Sequence, residues 1–113
     1  MTKPKIISTE TVYKGRVFDV SMAEIREGEL EYKREFILHK GSAVIVPVFA
    51  DKTIALVRQY RHAAEKYLLE VPAGSLDAGE SAETGARREL EEEIGVKAGK
   101  IEKLTEFYVS PLN

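Results

Sequence analysis

The order of apolar and polar positions divides the chain near Gly41. Before it the pattern alternates as a strand does. Phe18, Val20 and Met22 fall on one face, Val17 and Ile25 on the other, and Glu27 with Gly28 offers a turn. Residues 30–39 continue with Tyr32, Phe36 and Leu38 interleaved with charges, which predicts an antiparallel unit with a wet face. From Ser42 the pattern changes. Residues 42–50, SAVIVPVFA, form a nearly continuous β-branched run, expected of a strand buried on both faces. Asp51 and Lys52 predict a turn, and residues 53–60 (TIALVRQY) alternate again. Residues 68–71 are a short apolar run that exits into a loop at Pro72, Ala73 and Gly74, and residues 101–109 predict one more strand. The expected organisation is an N-terminal β unit over residues 1–40 and a mixed α/β core over residues 41–113.

Between Ser81 and Gly95 the period becomes helical. Ser81 is placed to cap the N-terminus, Glu83 sits in the first turn where the helix dipole favours it, and Gly95 stands where a glycine ends a helix. Ala82, Ala86, Leu90 and Ile94 recur every fourth residue as one apolar stripe. At about 100° per residue, Glu89, Glu92 and Glu93 share an arc beside that stripe, while Glu91 points elsewhere. Gly85 lies one turn before Glu89 on the same arc. A glycine inside a helix costs about 0.5–1 kcal/mol against alanine, so the bare position is expected to admit something bulky. A run of glutamates alone is most simply a solvated face, with Arg88 and Glu92 as an i,i+4 surface pair. Carboxylates crowded on adjacent turns repel one another, however, and a hard divalent cation with oxygen ligands relieves that repulsion.

Composition narrows the picture without redirecting it. In 113 residues, 43% are hydrophobic and 32% charged, as in one small soluble α/β or α+β domain. A net charge of −2 supplies no electrostatic footprint for nucleic acid or an acidic membrane. There is no cysteine, which excludes disulfides and thiolate metal sites. The longest apolar run is interrupted by Pro47 and too short to span a bilayer, and the N-terminus lacks the apolar core of a signal peptide, so a cytoplasmic location is expected.

Residues 74–96, GSLDAGESAETGARRELEEEIGV, resemble the Nudix box: Gly, five residues, Glu, seven residues, then Arg-Glu-U-x-Glu-Glu-x-Gly-U, with U a bulky aliphatic. The positions are filled by Gly74, Glu80, Arg88, Glu89, Leu90, Glu92, Glu93, Gly95 and Val96. Outside the box, VRQYR at residues 57–61, LLEVPAG at 68–74 and GRVFDV at 15–20 are similar to the ADP-ribose pyrophosphatase branch. So is Pro111, sixteen positions after Gly95. The resemblance implies a Nudix-type mixed β-sheet with a loop–helix–loop, preceded by an N-terminal antiparallel β unit through which branch members often form homodimers.

Carried over position by position, it implies metal ligation by Glu89, Glu93, Glu92 and the Ala73 carbonyl, with Mg²⁺ or Mn²⁺ as the ion. Glu92, Glu93 and Arg88 take the catalytic roles, and Arg88 holds the box by pairing with Glu80 or a catalytic carboxylate. Arg61, Arg58, His39 and Gly74 face the substrate; the plainer readings are a solvated Arg58 and a structural His39. The implied reaction is hydrolysis of a nucleotide sugar, ADP-ribose to AMP and ribose 5-phosphate. GDP-mannose, and a binding module or fragment without turnover, are the alternatives. The branch reads Ser-Pro-Gly where this chain has Ser110, Pro111 and Leu112. Its members continue into a loop bearing a further glutamate, so the chain is expected to be C-terminally incomplete and its general base stays unassigned. Relatives that stack adenine on tryptophan have no counterpart here, where Tyr13, Tyr32 or Phe36 would have to serve.

Overall fold

The computed structural model describes residues 3–109, so Ser110, Pro111, Leu112 and Asn113 lie outside the described residues. Two compact units divide between His39 and Lys40, with residues 105–109 assigned to the first.

The first unit is an antiparallel meander of β1 (Lys5–Lys14), β2 (Asp19–Glu27) and β3 (Leu30–Leu38), with β2 in the middle. Gly28 takes φ 63° as the first of two residues joining β2 to β3, a left-handed conformation that glycine adopts without a Cβ penalty. On β2 the face buried most deeply is Ser21, Ala23 and Ile25, while Val20 and Met22 are half-buried. β1 slips register twice, at Ile7 and at Val12, and every one of its residues is exposed.

The second unit holds two short ladders, β4 (Ser42–Val44) with β7 (Ala73–Ser75) and β5 (Val57–Arg61) with β6 (Lys66–Glu70), and one helix, α1 (Ala82–Ile94). The turn expected at Asp51 and Lys52 forms. Asp51 accepts from the backbone and hydroxyl of Thr53 at 3.0 and 2.6 Å, and Lys52 has φ 69°.

Three expectations are corrected. The run at residues 42–50 is not buried on both faces. Ala43 and Pro47 turn inward with Ile45 half-buried, whereas Val44, Val46 and Val48 are exposed at 66, 47 and 66%. Regular pairing ends at Val44; Pro47 has no N–H to continue a ladder. Ala73 and Gly74, read as a loop, form β7 because β4 offers them a partner. Residues 101–109 form no strand. Alternation becomes a strand only against a ladder partner, and Leu104, Phe107, Tyr108 and Val109 are instead exposed.

The helix begins and ends as its sequence predicts. The Ser81 hydroxyl accepts from the Thr84 backbone at 3.1 Å, and Gly95 closes the C-terminus at φ 66° with its N–H on the Glu91 carbonyl. Of the apolar stripe, Ala86 and Leu90 are buried and Ile94 half-buried, while Ala82 is exposed. The helix packs on β4 and β7. Its buried face is Gly85, Ala86, Glu89 and Leu90, and the glycines at 74 and 85 leave room for the side chains of Glu89 and of Leu76 and Glu80. Among the described residues no helix is long and apolar enough to cross a membrane.

Candidate functional site

That close packing puts Glu89 against β7. The residue is 8% exposed, and a Cβ on Gly74 would occupy the space of its carboxylate. Only glycine at position 74 admits a buried carboxylate there. One turn earlier Gly85 serves a similar end: a Cβ would run into the Leu76 side chain and come within 3.0 Å of the Glu80 carboxylate. The bulky neighbours expected over Gly85 are therefore Leu76 and Glu80.

Arg88 organises the carboxylates. Its Nε and Nη2 donate to the two oxygens of Glu80 at 2.9 Å each, a fork-on-fork pair. Its Nη1 donates to Glu89 at 2.9 Å and to Glu92 at 3.1 Å, and Nη2 also reaches the Ser75 carbonyl at 3.1 Å. Both roles considered for Arg88 are thus realised in one side chain, the tie to Glu80 and the contact with Glu92. The Arg88 hydrogen bonds, and the Asp77 backbone N–H donating at 3.0 Å, hold the Glu80 carboxyl down to about 2. Glu80 in turn keeps the Arg88 guanidinium firmly protonated.

Glu93 is half-buried on the next turn and accepts from Gln59 Nε2 at 3.4 Å. Gln59 sits on β5, so strand alternation places Arg61 on the same face and Arg58 on the opposite one. Contacts agree. Arg61 forms a bidentate pair with Glu70, Nε to Oε2 at 2.7 Å, and is also held protonated by the charge of Glu93. Arg58 instead lies over the Tyr67 ring, 4.1 Å from its centroid. The structure therefore brings Arg61 to the carboxylate face and separates Arg58 from it. His39 is an exposed residue at the end of the first unit.

The donor set of Glu89, Glu92, Glu93 and the Ala73 carbonyl is all oxygen, which suits a hard divalent cation. Arg88 and Gln59 engage those side chains, and among the described residues no three acidic or histidine groups are gathered into one ion-binding set. The residue types fit the ion; binding it requires Glu89 and Glu92 to turn from Arg88. Sequence reasoning passed over Gln59 and Glu70. The signal available was the alternation of the β5–β6 hairpin, whose register puts Gln59, Arg61 and Glu70 on one face.

Comparison with known proteins places the chain in a family. The model of the NUDIX domain family matches residues 39–111. The ADP-ribose pyrophosphatase of Bacillus subtilis (strain 168) is 40% identical over 109 residues, covering 95% of this chain and 58% of that protein. The ADP-ribose pyrophosphatase of Mycobacterium tuberculosis (strain ATCC 25618 / H37Rv) is 37% identical over 107 residues, covering 93% and 52%. A crystal structure of an ADP compounds hydrolase superposes with a TM-score of 0.80 at 31% identity, over 98% of this chain and 61% of that one. The chain thus spans between about half and three fifths of the length of these relatives. With the box positions filled, its helix and glycines packed as described, and the fold shared with a solved relative, this chain belongs to the Nudix family.

Proposed function

We propose that the chain carries the chemistry of a divalent-metal-dependent, cytoplasmic hydrolase of nucleotide sugars, converting ADP-ribose and water to AMP and ribose 5-phosphate. The observation that supports it most is the convergence on one side of the second unit of the α1 carboxylates, gathered by Arg88, and of Arg61 beside Glu93. Substrate class follows from the printed names of the relatives, two ADP-ribose pyrophosphatases and an ADP compounds hydrolase.

In this reading Glu89, Glu92, Glu93 and the Ala73 carbonyl hold Mg²⁺, with Mn²⁺ as substitute. The ion supplies charge neutralisation and Lewis acidity toward the diphosphate. Arg61 binds a phosphoryl oxygen and orients the diphosphate for attack by water on one phosphorus. The bridging P–O bond breaks, the water oxygen stays on the attacked phosphorus, and its proton leaves to a base. Gly74 lets the substrate and Glu89 approach the same stretch of backbone. Arg88 stays anchored on Glu80, which is ionised at any working pH, and releases Glu89 and Glu92 to the ion. A homodimer through the first unit belongs to the same reading, since β1 is an exposed edge carrying Ile6, Ile7, Val12 and Tyr13.

The test is incubation of the chain with ADP-ribose and Mg²⁺, with AMP followed by chromatography and GDP-mannose run in parallel. Glu93→Gln is expected to lower turnover by at least ~100-fold with the fold intact, the size of a lost electrostatic contact in the transition state. Turnover near wild type in that variant would sink the metal-site assignment. Faster cleavage of GDP-mannose than of ADP-ribose would move the substrate and keep the site.

A further inference from the structure

The pair between Arg61 and Glu70 is more specific than a surface ion pair needs to be. Exposed pairs contribute little to stability, and Arg61 remains 50% exposed, yet here one guanidinium edge, Nε with Nη2, is fixed in a fork on a half-buried carboxylate. The arginine also has a rival partner. Glu93 acts on it electrostatically from the same face, and Gln59, two residues back on β5, already reaches Glu93. Without Glu70, Glu93 is the carboxylate left acting on the Arg61 charge, and an arginine paired there would occupy a carboxylate that the chemistry requires.

We propose that Glu70 is a positioning residue: it holds the Arg61 guanidinium off Glu93 and presents it to the diphosphate of the substrate. The inference rests on the function proposed above. The pair takes one N–H at Nε and one at Nη2, so the second at Nη2 and both at Nη1 are not used by it. These donors suit a phosphoryl oxygen, which a guanidinium binds in a planar, directional way. Glu70 thus removes the rotamer freedom of a long side chain before the ligand arrives, and the ordering cost is met in the free protein. It also keeps the guanidinium from pairing with the Glu93 carboxylate.

The experiment measures ADP binding in the presence of Mg²⁺ by calorimetry, with steady-state kinetics on ADP-ribose, for Glu70→Ala, Glu70→Gln, Arg61→Ala and the double variant Glu70→Ala/Arg61→Ala. Glu70→Ala is expected to weaken ADP about tenfold, the worth of one misplaced charge-assisted hydrogen bond. KM should rise accordingly, and kcat should fall as well, by less than in Glu93→Gln, because an Arg61 drawn to Glu93 occupies a carboxylate that the reaction uses. Glu70→Gln, which keeps one acceptor, should fall between. In the Arg61→Ala background the Glu70 substitution should have no further effect, a non-additivity that loss of general stability would not produce. Circular dichroism confirms that each variant is folded. ADP bound by Glu70→Ala as tightly as by wild type, or more tightly, while Arg61→Ala binds it weakly, overturns the role of Glu70 alone. Undiminished binding by Arg61→Ala overturns the role of Arg61 in the proposed function and this inference with it.

Discussion

Arg58 and Arg61 stand three residues apart on the same short strand, and the motif VRQYR gives no obvious reason to rank them. The backbone ranks them. An odd spacing on a strand puts the two side chains on opposite faces. The face of Arg61 carries Gln59 and Glu70 and looks to Glu93, so its polar groups are bound to one another. The face of Arg58 carries Tyr60, Tyr67 and Leu69, all exposed, and the arginine covers an aromatic ring. One side of the hairpin is ordered by charge, the other is apolar surface. An arginine in a functional motif therefore takes its meaning from the parity of its position as much as from its chemistry.

The hardest way to break the contrast is to disturb the ordered side at its backbone. Gly74→Ala forces the Glu89 carboxylate out of its place. Activity on ADP-ribose is expected to drop about 100-fold, since displacements of an ångström at a reacting centre have that size. Leu69→Thr on the other face should leave kcat/KM within about twofold. Parallel assays of the two variants decide it, and equal losses would mean that the faces are not functionally distinct. The next effect is smaller. Arg61→Ala should lower kcat/KM about 30-fold, in the range of a lost hydrogen bond to a charged phosphate. Arg58→Ala removes a stacking contact alone and should stay within about twofold. A larger loss from Arg58→Ala than from Arg61→Ala would reverse the assignment of faces.

How much of this was legible in the chain depends on the range of the interaction. The ends of the helix were readable because their signals are local: Ser81 bonds three residues on and Gly95 bonds back within a turn, while of the stripe Ala82, Ala86, Leu90 and Ile94 all but Ala82 turn inward. The box glutamates and Arg88 were readable for the same reason, being adjacent turns of one helix. Strands were readable as alternation but not as partners. The β4–β7 ladder joins residues some thirty positions apart, so Ala73 and Gly74 looked like loop, and residues 101–109 looked like strand with nothing in the sequence to say that no ladder would form. Burial failed at residues 42–50 because β-branched composition is the same for a strand covered on one face or on two. Gln59 and Glu70 were missed because a polar side chain on a strand is ordinary until the opposite element is known to carry Glu93 and Arg61.

The mildest test separates the two roles of carboxylates on the ordered side, those held for structure and those held for chemistry. Glu80 is the structural one. Its carboxyl is lowered from an ordinary 4.5 to about 2, first by the Arg88 hydrogen bonds and then by the Asp77 N–H. Because the folded value lies below the unfolded one, the stability it contributes is complete above about pH 4.5 and is lost as the pH falls through about 2. Thermal unfolding of wild type should therefore soften progressively over that window, while Glu80→Gln should be less stable than wild type at neutral pH and show a shallower decline across the same range. A group that stays ionised to pH 2 also cannot be the proton acceptor whose titration limits turnover near neutrality. The acid limb of the pH–rate profile should then keep its midpoint in Glu80→Gln even where the amplitude falls. A midpoint that moves with this substitution would place Glu80 among the reacting groups and erase the distinction that Arg88 draws between its two sides.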